Sequence, residues 1–169
     1  MAPKKLILRN SQSPGDIVML TAAVRDLHRA HPGAYLTDVR TPCPAIWEGN
    51  PLVTPLRDDD PDALTIDCQY PLIHSSNQLP YHFVHAFRMF LEDALQITIP
   101  AGPFRGEIRL RDEEKSWMSQ TEETHGMGTR YWIVVAGGKY DYTAKWWPAD
   151  HFQRVVDDLQ DEILFVQVG

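Results

Sequence analysis

A carboxylate placed directly after a turn is the residue of this chain best suited to do chemistry. Ser13, Pro14, Gly15 and Asp16 follow each other between an apolar segment and an amphipathic helix. The dipole of that helix stabilises an anion at its N-terminus, and a carboxylate there could take a proton from a hydroxyl group as its oxygen attacks. The same residue types form a capping box, in which Ser13 and Asp16 only satisfy the first turn of the helix. Both interpretations stay open, because one aspartate can serve both purposes.

A second polar turn follows the strand predicted at 131–136. Glycines there let backbone N–H groups approach a phosphate closely, and the helix that starts at Pro148 directs its positive end to the same place. We therefore predict that a diphosphate is bound by Gly137, Gly138, Lys139, Thr143 and Lys145. Neither a P-loop nor a GxGxxG motif is present. The alternative is a solvated basic loop beside Trp146 and Trp147.

The third polar segment, residues 77–88, combines amide, imidazole and guanidinium groups. His82, His85 and Arg88 recur every three residues on one face of a predicted helix, and Arg88 is expected to pair with Glu92. A His-x-x-His pair can bind a metal ion, but no third ligand stands out, so no metal site is predicted. A plain polar helix face is the alternative to contact with a sugar. The residues assigned to an acceptor site are Asn10, Ser11, Ser13, Gly15, Asn77, Gln78 and His82.

Alternating strands and helices must position these turns. Apolar runs predict strands at 5–9, 35–40, 53–57, 63–68, 131–136 and 163–168, and spacings of three and four predict helices at 16–30, 81–95, 112–123 and 149–160. This alternation is typical of α/β proteins with a parallel sheet, in which ligands bind at the carboxyl ends of the strands.

Two domains follow from these elements. Residues 1–125 are predicted to form a Rossmann-like domain that ends in a linker helix, and residues 126–169 the first βαβ unit of a second such domain. Two strands and one helix cannot bury both faces of their sheet, so the second domain is expected to be truncated.

Composition narrows the classes of protein. The formal net charge of −7 argues against a nucleic-acid binder. Cys43 and Cys68 match neither a disulfide framework nor a zinc site, which favours a reducing compartment. No signal peptide is recognised, and no apolar run reaches the ~20 residues needed to span a bilayer. The sequence therefore predicts a cytoplasmic protein.

The two turn motifs together resemble the bacterial heptosyltransferases of glycosyltransferase family nine. Residues 13–23 are similar to the family's glycine–aspartate turn and the helix after it, and residues 145–152 are similar to its Lys-x-Trp-Pro-x-x-x-Phe segment. The resemblance implies a GT-B architecture of two Rossmann-like domains that face a cleft. It also implies that the N-terminal domain binds the acceptor and the C-terminal domain a nucleotide-sugar, typically ADP-heptose.

The resemblance implies residue roles as well. Asp16 matches the catalytic base, and Lys145, with Thr143 and the 137–138 turn, matches the contacts to the donor diphosphate. The implied reaction moves heptose to a saccharide, lipid-linked or protein acceptor in lipopolysaccharide biosynthesis, inverting the anomeric carbon without a metal or a cofactor. A lipid-linked acceptor would bring the protein to a membrane surface. Asn10 stands where lipopolysaccharide-core members often carry a lysine, which weakens the case for an acidic acceptor.

The residues leave two other classes of function open. One is a Rossmann-like nucleotide-binding oxidoreductase or epimerase, and the missing glycine fingerprint counts against it. The other is a non-catalytic sugar-binding or assembly module, which would bind its ligand without forming product.

Overall fold

The chain has an α/β fold. The computed structural model describes residues 2–73, 75, 78–137 and 146–168. The chain divides into two compact units, Met1–Asp112 and Glu113–Gly169. Among the described residues, none of the helices combines the length and the apolar character that crossing a membrane requires.

The first unit is built on a three-stranded parallel sheet. Its strands are β1 (Lys4–Arg9), β2 (Tyr35–Arg40) and β3 (Ala63–Asp67), and they lie in the order β2–β1–β3. Because β1 lies between the other two strands, the chain crosses from β1 to one side for β2 and returns to the other side for β3. The carboxyl end of β1 is therefore a topological switch point, where open α/β sheets bind their ligands.

Helices α1 (Pro14–Ala30) and α2 (Phe83–Leu95) pack together against one face of this sheet. Fully buried side chains hold the three elements together, namely Leu6, Leu8, Ile17, Leu20, Val24, Leu27, Phe87 and Leu91. Burial of each such side chain stabilises the fold by ~1.5–3 kcal/mol. This arrangement is compatible with a Rossmann-like sheet.

The opposite face of the sheet carries Lys5 and Arg40 beside the buried Ile7. Residues 54–60 cover it, because Lys5 Nζ lies 2.8 Å from Asp60 Oδ2 and Arg40 Nη2 donates to the Leu56 carbonyl at 2.7 Å. Within the described part of the first unit, both long helices lie on the other face. Polar contacts with residues 54–60 therefore contribute to closing this side of the sheet.

The strand predicted at 53–57 is wrong. A single β-bridge to β2 forms at Val53. Pro55 has no N–H to donate to a ladder, and the N–H of Leu56 donates to the buried carboxylate of Asp38. The segment therefore satisfies its backbone through a side chain and does not continue as a strand.

The single helix predicted at 112–123 is also wrong, because the segment forms two short helices. They are α3 (Asp112–Lys115) and α4 (Gln120–His125). The Ser119 hydroxyl accepts from the Glu122 N–H at 3.2 Å, and the Glu122 carboxylate accepts from the Ser119 N–H at 3.2 Å. This capping box holds Ser119 in an extended conformation and starts a new helix there.

The second unit contains a βαβ unit, as predicted for this part of the chain. Strand β4 (Tyr131–Val134) runs parallel to β5 (Leu164–Gln167), and helix α5 (Ala149–Leu159) lies between them in sequence. Its apolar side chains are poorly covered, since Trp132 is 51% and Ile133 59% exposed.

A polar strap, residues 98–107, lies along α1. The buried carboxylate of Asp26 accepts from the Gly102 N–H at 2.8 Å and from Arg25 Nε at 3.0 Å. Arg25 in turn donates to the carbonyls of Pro103 and Arg105, each at 2.8 Å. The strap thus covers the face of α1 that the apolar core leaves free.

Gly106 belongs to the strap where it approaches α1 most closely. A Cβ atom added there would lie 2.5 Å from the backbone oxygen of Val18 and 2.6 Å from its Cγ1. Overpacking of this kind costs ~1–3 kcal/mol, so Gly106→Ala should lower the free energy of unfolding by that amount in urea titrations. Gly15→Ala is the matched control, because nothing lies within 4 Å of its added Cβ. An equal loss in both variants would contradict the close approach.

His28 should make stability depend on pH. Its ring is half-buried in α1, with Nε2 2.9 Å from the Thr37 hydroxyl, and burial lowers the pKa of His28 below its ordinary 6.5. As the pH falls, His28 is therefore protonated in the unfolded chain before it is protonated in the folded chain. The stability that the neutral, buried His28 contributes is lost as the pH falls below about 6.5. Between about pH 7.5 and 5.5 the free energy of unfolding should fall more steeply for the wild type than for His28→Gln. Equal slopes in urea titrations would refute this assignment.

Candidate active site

A cleft of about 680 Å³ opens where the three strands of the first unit end. The residues that line this strand-end cleft include Arg9, Asn10, Gln12, Arg40, Asp67 and Cys68. They terminate the strands or follow them directly. The volume falls within the ~300–1,000 Å³ that is usual for small-molecule sites. The predicted position of the ligand site, at the carboxyl edge of the sheet, therefore coincides with a real concavity.

Three charged residues stand side by side at the end of the strands. Arg9 is the register partner of both Arg40 and Asp67, so their side chains leave the same face of the sheet. Arg40 is already paired, because its Nη1 lies 2.6 Å from Asp38 Oδ2 and its Nε 3.1 Å from Asp58 Oδ1. Arg9 and Asp67 are exposed, and within the described part of the chain neither has an ion-pair partner. Both are therefore free to meet a ligand.

Asn10 is buried and joins the end of β1 to the residues after β3. Its Nδ2 donates to Gln12 Oε1 at 2.8 Å and to the Cys68 carbonyl at 2.9 Å, and its Oδ1 accepts from the Gln12 N–H at 2.8 Å. Both of its amide hydrogens are thus used within the protein. Asn10 shapes the wall of the strand-end cleft, although its amide group is already occupied.

Asp16 lies in the first turn of α1, as predicted, but it forms no capping box with Ser13. Ser13 is the N-cap and has an extended backbone, yet its side chain makes no capping hydrogen bond. Its carbonyl accepts from the N–H groups of Asp16 and Ile17 at 2.9 and 3.1 Å. The half-buried Asp16 carboxylate instead accepts a hydrogen bond on Oδ1 from the Tyr70 hydroxyl at 3.2 Å. The capping-box interpretation is therefore wrong.

Tyr70 is the partner of Asp16 that sequence reasoning missed, and neither residue is among those that line the strand-end cleft. It is 7% exposed, and its ring meets Phe87 edge-on with the centroids 4.9 Å apart and Phe83 at 5.6 Å. Its position three residues after β3 places it near the same sheet edge. Its partner Asp16 lies 54 positions earlier, so local spacing contained no signal for the pair.

His82 is the N-cap of α2. Its Nδ1 accepts a backbone N–H of the first turn at 3.2 Å. Its ring lies against Phe104 with the centroids 4.6 Å apart, and His85 lies 5.3 Å from the same ring. Among the described residues, no three His, Cys, Asp or Glu side chains lie close enough together to hold a metal ion. The predicted pair of Arg88 and Glu92 is confirmed at 2.6 Å.

The structure describes some of the other predicted site residues and not the rest. Ser11 lines the strand-end cleft, and Ser13, Gly15 and Gln78 are exposed. Gly137 follows β4, and nothing lies within 4 Å of the position of its added Cβ. The predicted residues that fall outside the described part of the chain are Asn77, Gly138, Lys139, Thr143 and Lys145.

The fold and the site together define an α/β protein with a small parallel sheet and a polar cleft at its carboxyl edge. No protein-family model, curated protein or solved structure matches the chain. The side chains at the carboxyl edge of the sheet are therefore the basis for a proposal about the function of the chain.

Cys68 should be chemically inert although it lines the strand-end cleft. It is 2% exposed, and burial raises the pKa of its thiol to about 12. The thiolate is the reactive form, and at pH 8 only about one such thiol in ten thousand is ionised. Iodoacetamide should therefore label the half-buried Cys43 in the folded chain and both cysteines in urea, as read from peptide masses. Rapid labelling of a folded Cys43→Ser variant would contradict this burial.

Proposed function

We propose that this chain takes part in glycosyl transfer from a nucleotide-sugar to a hydroxyl acceptor, with Asp16 as the general base. The proposal joins the family-nine resemblance of residues 13–23 to the surroundings of that carboxylate. One observation carries it: Oδ1 of Asp16 bonds to Tyr70, whereas within the described residues nothing donates to Oδ2. A carboxylate at this position that served only a capping box would accept from the backbone N–H of Ser13.

The proposed step is a single displacement at the anomeric carbon. The acceptor oxygen forms a bond to that carbon while its proton passes to Asp16 Oδ2. The bond between the anomeric carbon and the diphosphate oxygen breaks, and its electron pair leaves with the nucleoside diphosphate. Attack and departure on opposite sides of the carbon invert its configuration.

The strand-end cleft is the proposed acceptor site. Ser11, Gln12 and Gln69 offer hydroxyl and amide groups that suit the hydroxyls of a saccharide. Arg9 is exposed there and, within the described residues, carries no ion pair. It therefore supplies a cation at this edge even though Asn10 replaces the lysine of the resembled family.

The donor side of the proposal rests on the resemblance alone. It assigns the leaving diphosphate to Gly137, Gly138, Lys139, Thr143 and Lys145. N–H groups and cations at such a turn stabilise the charge that develops on a leaving group. By the same resemblance, the donor is ADP-heptose or another nucleotide-sugar, the acceptor is a saccharide, a lipid-linked molecule or a protein, and the setting is lipopolysaccharide biosynthesis in the cytoplasm.

Asp16→Asn should strongly reduce the rate of transfer and leave the fold intact. Loss of a general base typically lowers the rate by about 10²–10⁴-fold, and the amide has the same shape as the carboxylate. The measurement is the release of nucleoside diphosphate from ADP-heptose with a saccharide acceptor, together with thermal unfolding. Asp93→Asn is the matched control, because Asp93 is an exposed carboxylate near the other end of a helix.

Turnover by Asp16→Asn close to that of the wild type would refute the role of this base. Saturable binding of the sugar nucleotide without product would favour a sugar-binding module. Quenching of tryptophan fluorescence by nicotinamide dinucleotides, but not by sugar nucleotides, would favour the oxidoreductase alternative.

A further inference from the structure

The contact between Tyr70 and Asp16 joins two parts of the first unit that are distant in sequence. Tyr70 follows β3, Asp16 opens α1, and the hydroxyl donates to Oδ1 at 3.2 Å. We propose that Tyr70 is a positioning residue, which holds the Asp16 carboxylate in the single rotamer that proton transfer from the acceptor requires. The inference rests on the proposed function and assigns a second residue to the same site.

Packing around the Tyr70 ring restricts the position of its hydroxyl group. It is 7% exposed, meets the fully buried Phe87 edge-on and lies tilted against Phe83, and both phenylalanines belong to α2. Aromatic pairs of this geometry restrict the orientation of the ring. Since Phe87 belongs to the core that α1 and α2 share, the hydroxyl is fixed relative to the helix that carries Asp16.

A tyrosine suits this role because of what it leaves unchanged. Its hydroxyl donates a hydrogen bond to one carboxylate oxygen and adds no positive charge beside Asp16. The other oxygen, Oδ2, then points in a defined direction for the proton of the acceptor hydroxyl. That proton moves to Oδ2 as the new bond to the anomeric carbon forms, and Tyr70 exchanges no proton in the step. A lysine or arginine at this position would partly neutralise the base.

A purely structural role makes different predictions. If Tyr70 only anchored the segment after β3 to α1, its oxygen would influence stability but not the orientation or the turnover of Asp16. If it positions the base, its effect on turnover disappears once the base itself is removed. Double-variant cycles separate these two cases.

The test uses the full chain and the substitution Tyr70→Phe, which keeps the ring and removes only the hydroxyl. Three-bond NMR couplings report the χ1 rotamer of Asp16 and need no activity. The wild type should show one rotamer, and Tyr70→Phe should show averaged couplings. Tyr81→Phe is the matched control, because Tyr81 is 49% exposed and should leave the Asp16 couplings unchanged.

Transfer kinetics give the second measurement. Tyr70→Phe should lower kcat about tenfold with KM unchanged, because only the alignment of the base is lost. Added to Asp16→Asn, it should have no further effect on kcat. Unchanged Asp16 couplings in Tyr70→Phe overturn the inference, as does a tenfold effect that persists in the Asp16→Asn background. Absence of transfer by the wild type overturns the proposed function, and the NMR couplings then decide the role of Tyr70 independently.

Discussion

The packing of α1 against the central strand is the contact on which the rest of the first unit depends. Leu6 and Leu8 of β1 are fully buried beneath Ile17 and Leu20 of α1. Because a short turn joins the two elements, this packing places the first turn of α1 at the carboxyl edge of the sheet. The strands β2 and β3 end at the same edge, so polar residues from three segments lie close together there.

Buried polar groups complete what the apolar core begins. Asn10 ties the end of β1 to the chain after β3, and Asp26 binds the strap to α1. Both side chains are buried, and a buried polar group left without a hydrogen-bond partner costs ~1–3 kcal/mol of stability. The Asn10 bonds thus hold together the segments after β1 and β3 that line the strand-end cleft, whereas the Asp26 bond fixes the strap on α1. Arg9 and Asp67, at the mouth of the same cleft, stay solvated.

Residues whose partners are close in sequence were the predictable ones. The period of apolar residues located α1, α2 and α5, and a spacing of four identified the Arg88–Glu92 pair. The errors arose where a local pattern had two solutions. The apolar pattern of residues 53–57 predicts a strand, but Pro55 and the Asp38 carboxylate prevent one from forming. The pattern of residues 112–123 predicts one helix, but Ser119 starts a new helix. In each case, a side chain took over backbone hydrogen bonds that the periodic pattern assigned to the ladder or the helix.

The sequence by itself determined the α/β class, the strand-to-helix turn at Asp16 and the position of polar residues after the strands, because hydrophobic period and chain direction are local properties. Only the tertiary structure decided what the Asp16 carboxylate does. Ser13 and Asp16 are spaced for a capping box, yet the carboxylate accepts from Tyr70. A hydrogen bond between residues 54 positions apart depends on how β3, α1 and α2 pack, and no spacing along the chain encodes that.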